Sequence, residues 1–354
     1  LRADRLLEDI VNGKRMTDEE FVKLWQEADF FALGKAADAR RQKIFGHNLA
    51  TFIIDRNINY TNICSCRCKF CAFYRTREAK DAYVIDREAL WAKIEEAIDL
   101  GATQLMIQGG LNEELDITFF TDMFKDIKAR YNITLHSLSA PEISFIAKIS
   151  GLSIKETLLR LKEAGLDSLP GGGAEILHDD VRREISPNKI STEEWLSIMK
   201  TAHEIGLAST ATMMMGSIEK LEHQLYHLHQ IRDLQDQTGG FRAFIVWTYQ
   251  PGNNMLAGDK ISSLYYLRFL ALSRLYLDNF KHIQGSWVTQ GKEIGQLSLL
   301  FGADDLGSIM IEENVVRAAG TFYKMKKEEM ISLIRSAGRI PAQRDTSYNI
   351  LQIF

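Results

Sequence analysis

The reading of the fold turns on a strand-like run, Leu49-Ala50-Thr51-Phe52-Ile53-Ile54, and on the loop into which it delivers the chain, Asn62-Ile63-Cys64-Ser65-Cys66-Arg67-Cys68-Lys69-Phe70-Cys71. All four cysteines of the chain lie in that loop. Bridged to one another they would close only tiny rings, whereas a disulfide framework staples distant segments, so metal or cluster ligation is favoured. Two ligand sets are open: four thiolates on zinc, or three on an iron-sulfur cluster that leaves one iron without a protein ligand. Structural zinc sites usually draw two knuckles from separate turns. Cys64, Cys68 and Cys71 instead make a single CxxxCxxC loop with an aromatic, Phe70, before its last cysteine. That triplet, Cys64, Cys68 and Cys71, signals three ligands, although Cys66, Cys68 and Cys71 are also close together. A zinc or electron-transfer knot using all four is the competing reading.

Outward from this loop the pattern alternates. Residues 3 to 45 read as helices with the periodic apolar set Phe21, Leu24, Trp25, Ala28 and Phe31, and a helix follows the cysteines from about Glu88 to Leu100. After the first strand, further candidates are Gln104 to Gln108, Ile133 to Leu138, Asp167 to Leu169, Ser209 to Met215, Phe241 to Tyr249, Ile283 to Trp287 and Leu306 to Met310. Amphipathic helices separate most of them. Eight strands in alternation predict an α/β fold, a (β/α)8 TIM-type barrel with function at the C-terminal ends of its strands. The expected division is an N-terminal helical cap, 1–47, and a barrel with a C-terminal helical segment, 48–354.

Composition bounds the partner. The 354 residues are 45% hydrophobic and 25% charged, which excludes disorder, and 43 Lys plus Arg against 47 Asp plus Glu leave no basic field for nucleic acid or an anionic membrane. A small-molecule partner is expected. No run of about 18 apolar residues occurs, and Leu1-Arg2-Ala3-Asp4-Arg5 does not resemble a secretion signal, so a cytoplasmic location is expected.

Several polar oddities fall at strand ends. Gln108-Gly109-Gly110 ends the second strand, where glycine lets backbone approach a ligand, and His136 ends the third. Gly171-Gly172-Gly173-Ala174-Glu175 follows the fourth; with no Gly-Lys-Ser/Thr after it, this is not a P-loop. Met213, Met214 and Met215 read as core packing rather than a cofactor contact. His223 and His227 share a helix face, but without a third ligand at suitable spacing they read as solvated rather than metal-binding. Aromatics and amides, Trp287 and Gln290 among them, close the seventh strand.

The CxxxCxxC loop with its aromatic resembles that of the radical S-adenosylmethionine (SAM) superfamily. The resemblance implies a [4Fe-4S] cluster on Cys64, Cys68 and Cys71, whose open iron chelates the amino and carboxylate groups of SAM. The superfamily's three-residue first gap, which only Cys64 gives, implies that Cys66 is a non-ligand. It implies cofactor contacts from Phe70, Tyr74 and the Gln108-Gly109-Gly110 segment, from Glu175 to the ribose hydroxyls or amino group, and from Arg182 to the SAM carboxylate. Asp55 to Asn62, Cys68 to Arg75, Gly171 to Ile176 and Glu312 to Gly320 look like the corresponding segments of the dehypoxanthine futalosine cyclases of menaquinone biosynthesis. The sister aminofutalosine and deazaflavin-cofactor synthases share the cluster loop and the triple-glycine region, and the segment from Ser286 to Gly291, followed by Gly307-Ser308, is what favours the cyclase. Cys66 and Ser217 depart from the pattern, the latter where a histidine is expected. The resemblance implies dehypoxanthine futalosine as substrate and a flavodoxin or ferredoxin as electron donor. It also implies a radical at ribose C4' that attacks the benzoate ring, then loss of an electron and a proton to restore aromaticity, the proton going to a base. His136 and Glu312 are the candidate bases, and Trp287, Gln290 and Asn314 the candidate substrate contacts.

Overall fold

The computed structural model describes residues 3–256, 258–320 and 324–354; Leu1 and Arg2, part of the stretch read for a secretion signal, lie outside them. Three helices come first, Ala3–Val11, Asp18–Glu27 and Phe30–Phe45. Thr17 and Glu20 form a capping box on the second, and Asp29 caps the third through the N–H groups of Phe31 and Ala32. That turn divides the apolar set expected to run as one face. Phe21 and Leu24 are buried, with Phe21 edge-on to Phe269 and Tyr276, whereas Phe31 starts a new helical phase and is 76% exposed. Arg268 of helix Ser263–Tyr276 donates to the carbonyls of Trp25 and Ala28, and the three helices share one apolar core with the rest of the chain.

The strands are β1 (Leu49–Ile53), β2 (Asp55–Asn59), β3 (Gln104–Gln108), β4 (Thr134–Leu135), β5 (Ser209–Met215), β6 (Phe241–Thr248), β7 (His282–Gln284), β8 (Asp305–Ser308), β9 (Ile340–Arg344) and β10 (Ile350–Ile353). β1 and β2 are one line of chain interrupted at Ile54. β2, β3 and β4 pair in parallel; β5 to β8 do the same, and β8 returns to β1. Single bridges from His136 to Ser168 and from Leu169 to Ser209 supply the fourth position, so a barrel closes at eight positions. The fourth strand shrinks to these bridges because Pro170 and the glycines follow at once. The seventh stops at Gln284, short of the expected Trp287, which instead opens the helical turn Trp287–Gln290.

The helices that return between strands start on side-chain caps: Asp86, Asp116, and the Ser153/Glu156 and Ser191/Glu194 boxes. The expected C-terminal helix is Lys327–Ser336, but it is not the end of the fold. β9 runs parallel to β1, and β10 folds back on β9 around Asp345, whose carboxylate accepts the N–H groups of Ser347 and Asn349. Pro341 and Arg344 hid this strand from the sequence reading, and its partner lies at the opposite end of the barrel sequence. Among the described residues no helix is long and apolar enough to cross a membrane.

Candidate active site

The barrel encloses a cavity of about 430 Å³. At its upper end, past β2, all four cysteine thiols line it, and none is in a disulfide. The loop is tied down on several sides. Cys64 N–H donates to Arg75 O, Ser65 N–H to Leu111 O, Lys69 N–H to Ile185 O, and Asn188 donates to Cys66 O. Beyond Cys71 the Arg75 guanidinium gathers the carbonyls of Ala72, Phe73 and Tyr74. Cys66 Sγ lies 3.5 Å from Cys68 Sγ. That hydrogen bond, against the effect of burial and with help from the nearby Lys189 ammonium, brings the Cys68 thiol down to about 7; the same bond, together with burial, pushes Cys66 up. Burial raises Cys71. Among the described residues no three His, Cys, Asp or Glu side chains converge on a point suited to one ion. Three thiols spread over one wall suit a multi-iron cluster, so the donor set fits.

Glycines bring backbone to the same wall. A Cβ on Gly110 would stand 2.1 Å from Ile63 O and 2.8 Å from Cys64 Cβ, so nothing larger fits against the cysteine loop. Gly109 N–H donates to the buried Glu142 carboxylate and Gly110 N–H to Thr61 O, while Gly110 O accepts from Tyr60 Oη, so what this segment can present to a ligand is carbonyl oxygen, that of Gly109 first. Glu142 also binds Tyr60 Oη and Ser139 N–H and so fixes the turn. Across the cavity Gly173, at φ +78°, packs so tightly on Pro141 that a Cβ would meet its ring at 2.3 Å. Glu175 follows, also left-handed at φ 40°. Its Oε1 accepts from Lys189 at 3.1 Å, while its Oε2 is buried without a partner among the described residues. An orphaned carboxylate oxygen on a cavity wall calls for a donor from a ligand, such as the ammonium or a ribose hydroxyl of SAM.

The structure sorts the expected site residues. Cys64, Cys68, Cys71, Phe70, Tyr74, Gln108, Gly109, Gly110, Glu175, His136 and Trp287 all line the cavity. Arg182 does not. Its five N–H groups go to the carbonyls of Gly173, Ala174, Ile176 and Ile190, leaving no donor for a cofactor carboxylate; it builds the glycine loop. Lys189 is the cation that faces the cavity here, with Nζ 5.1 Å from the Phe70 ring centre. Glu312 is likewise outside, held by Arg56 Nε at 2.8 Å and Lys93 Nζ at 2.7 Å. Burial works to raise its carboxyl, but Lys93, Asn314 and Arg56 keep it low and make it a poor base. Its neighbour Glu313 lines the cavity, and burial lifts its carboxyl against the N–H groups of Arg317, Val316 and Val315. Gln290 and Asn314 are not on the wall: Gln290 donates to Thr248 Oγ1, and Asn314 to Asn59 Oδ1, which is on the wall.

His227 corrects the solvated-face reading, being fully buried with Nδ1 accepting Leu177 N–H at 2.9 Å, where it pins the end of the glycine loop. His223 accepts Lys220 N–H. Met213, Met214 and Met215 are all buried, as expected. The sequence reading missed Lys189, Glu313 and the floor residues Arg242, Arg344 and Tyr348. It also missed the inward row Asp55, Asn57 and Asn59, whose every-second-residue polarity was the available signal.

With this geometry, comparison with known proteins is decisive. Residues 58–230 match the radical SAM superfamily and residues 238–354 the CofH/MqnC C-terminal region. The cyclic dehypoxanthine futalosine synthase of Halalkalibacterium halodurans is 47% identical, over 100% of this chain and 96% of that protein. The chain belongs to the CofH/MqnC family of radical SAM proteins. The Streptomyces coelicolor cyclic dehypoxanthine futalosine synthase is another such relative, 48% identical over 98% of this chain and 88% of its own length. Methylornithine synthase, a solved structure, superposes with a TM-score of 0.76 over 95% of this radical SAM chain and 97% of its own at 19% identity, a likeness of fold. The superfamily supplies what the thiol wall and the orphaned Glu175 oxygen suit: a [4Fe-4S] cluster on three cysteines, and SAM.

Proposed function

We propose that this chain is the radical SAM cyclase that converts dehypoxanthine futalosine to its cyclic product in the futalosine route to menaquinone. The observation that carries the reading is the set of thiols at one end of an enclosed cavity, in a chain that matches the two synthases along its length. When bound, the cluster and SAM supply a 5'-deoxyadenosyl radical that takes the hydrogen from ribose C4'. The protein's residues do the rest. Cys64, Cys68 and Cys71 hold the cluster, with Cys66 left unligated, and Phe70 and Tyr74 flank the cofactor. The carbonyls of the Gly109-Gly110 segment and Glu175 take donors from SAM, and Lys189 replaces Arg182 as the partner of its carboxylate. Trp287, fixed by its Nε1–H to Ser308 O at 3.0 Å, gives the aromatic ring a flat wall. Glu313, with its carboxyl lifted by burial, replaces Glu312 as the base that takes the ring proton. The barrel walls around the cavity limit the access of water to a reactive carbon radical.

The reading places the enzyme in the cytoplasm with a flavodoxin or ferredoxin as reductant, and treats 1–47 as a cap on the 48–354 barrel. The test is anaerobic incubation with SAM, dithionite and, in separate reactions, dehypoxanthine futalosine or the enolpyruvyl alkene that an aminofutalosine synthase takes, analysed by mass. The cyclic product with free 5'-deoxyadenosine is expected. A product that keeps the adenosyl group would instead mark an aminofutalosine synthase.

A further inference from the structure

The floor of the cavity, opposite the cysteines, carries a charge that the site above does not use. Arg242, near the start of β6, lines the cavity, and its Nε is buried with no hydrogen-bond partner. Its Nη2 reaches His136 Nδ1 at 3.4 Å. Asp167 and Asp345 reach it only with their fields, and neither bonds to it. The neighbouring guanidinium shows the contrast: Arg344 sits on Asp305 through Nε at 2.6 Å and Nη2 at 2.9 Å. Among the described residues, one floor arginine has a bonded counter-ion and the other has none. An uncompensated guanidinium out of bulk water is costly, and that cost falls when an anion arrives.

His136 completes the arrangement. An arginine N–H can only donate, so His136 Nδ1 accepts from Arg242 and, at 2.7 Å, from the Ser168 hydroxyl. The ring proton is therefore on Nε2. Burial, together with Arg242 and Arg344, holds the imidazole neutral, with its titration pushed well below the usual histidine range. It is then a donor toward the cavity rather than the base expected from the sequence. The distance suits a long ligand as well. From Arg242 to Trp247, at about 3.3 Å per residue, the strand climbs roughly 16 Å toward the cysteine end.

We propose that Arg242, with the Nε2–H of His136 beside it, is the subsite for an aromatic carboxylate and holds the substrate with its acid group on the floor and its ribose toward the cysteines. This rests on the cyclase reading for the identity of the acid, a benzoate, but the subsite itself can be probed with benzoate alone.

The experiment is calorimetric titration of the cluster-reconstituted, SAM-loaded protein with benzoate and with neutral benzamide. The parent should prefer benzoate by roughly tenfold to a hundredfold, the worth of a charged bidentate hydrogen bond. Arg242→Gln should bind the two alike, and Arg242→Lys should keep part of the preference. Iron content and SAM affinity report whether each variant is folded. If Arg242→Gln is not, Arg242→Lys decides, because losing the planar fork should cut the preference several-fold. No preference in the parent, or an undiminished one in a folded variant, overturns the subsite. A persistent benzoate preference in a protein that fails to cyclise dehypoxanthine futalosine would overturn the cyclase reading and leave the subsite standing.

Discussion

Arg182 spends every N–H group it has on four backbone carbonyls, and that decides what its removal should do. Arg182→Ala leaves those carbonyls buried and unpaired, so stability should fall by about 3 kcal/mol or more, against less than about 1 kcal/mol for an exposed ion pair. Urea denaturation reads this, and SAM affinity should fall with it because the loop bearing Glu175 loosens. Cys66 sits beside Cys68 yet belongs to none of the triplet's spacings. Cys66→Ala should keep four irons per chain by iron assay, while Cys64→Ala, Cys68→Ala or Cys71→Ala should lose them. His227 supplies a pH signature. Burial brings its folded value down to about 3, against roughly 6.5 unfolded, so its contribution is fully present above 6.5 and is lost as pH falls from there toward 3. Near pH 5 the loss is about 2 kcal/mol. His227→Asn keeps an acceptor for Leu177 N–H without the titration, so urea midpoints at pH 7.5 and 5 should lie closer together than in the parent. Equal pH sensitivity in the two proteins would remove His227 from this role.

At the level of elements, Gln104–Gln108 and Ser209–Met215 were legible to the residue because apolar, β-branched or methionine-rich runs end in glycine there. β2 was not. Its inner face points into the cavity, so Asp55, Asn57 and Asn59 stand where a strand packed on a core would carry apolar side chains. The glycine turn after β3 was visible as a motif, but its tightness is a matter of contact. Gly110→Ala would drive Cβ into Ile63 O and Cys64. The variant should fold, since the barrel below is untouched, yet retain far less iron after reconstitution than the parent. Iron retention at the parent level would show that the cysteine loop yields without losing its ligands.

The whole molecule depends on a closure that its linear order conceals. β9 fills the side of β1 that β3 leaves free below β2, and delivers Arg344, Thr346 and Tyr348 to the cavity floor. Arg344 is bound to the buried Asp305 of β8, so Arg344→Leu strands a carboxylate at the seam where the barrel closes. Such a broken pair typically costs about 3 to 5 kcal/mol. Thermal or urea unfolding should show that loss, and Asp305→Asn combined with Arg344→Leu should recover part of it. A loss under about 1 kcal/mol in the single variant would mean the C-terminal hairpin is not part of the closure.

The cysteine spacing, the βα alternation and the glycine turns were determined by the sequence alone, because each is a local pattern whose meaning survives without knowledge of its neighbours. Which charges face the cavity was decided only in three dimensions. Arg182 and Lys189 lie on one segment, and Glu312 and Glu313 are adjacent, yet in each pair one side chain is held by partners away from the cavity and the other, with its own partners, lies on the wall. Those partners are Gly173 and Ile190 for Arg182, and Arg56 and Lys93 for Glu312. A charged side chain goes where its hydrogen bonds are best satisfied, and the groups that satisfy it come from parts of the chain that only folding brings together.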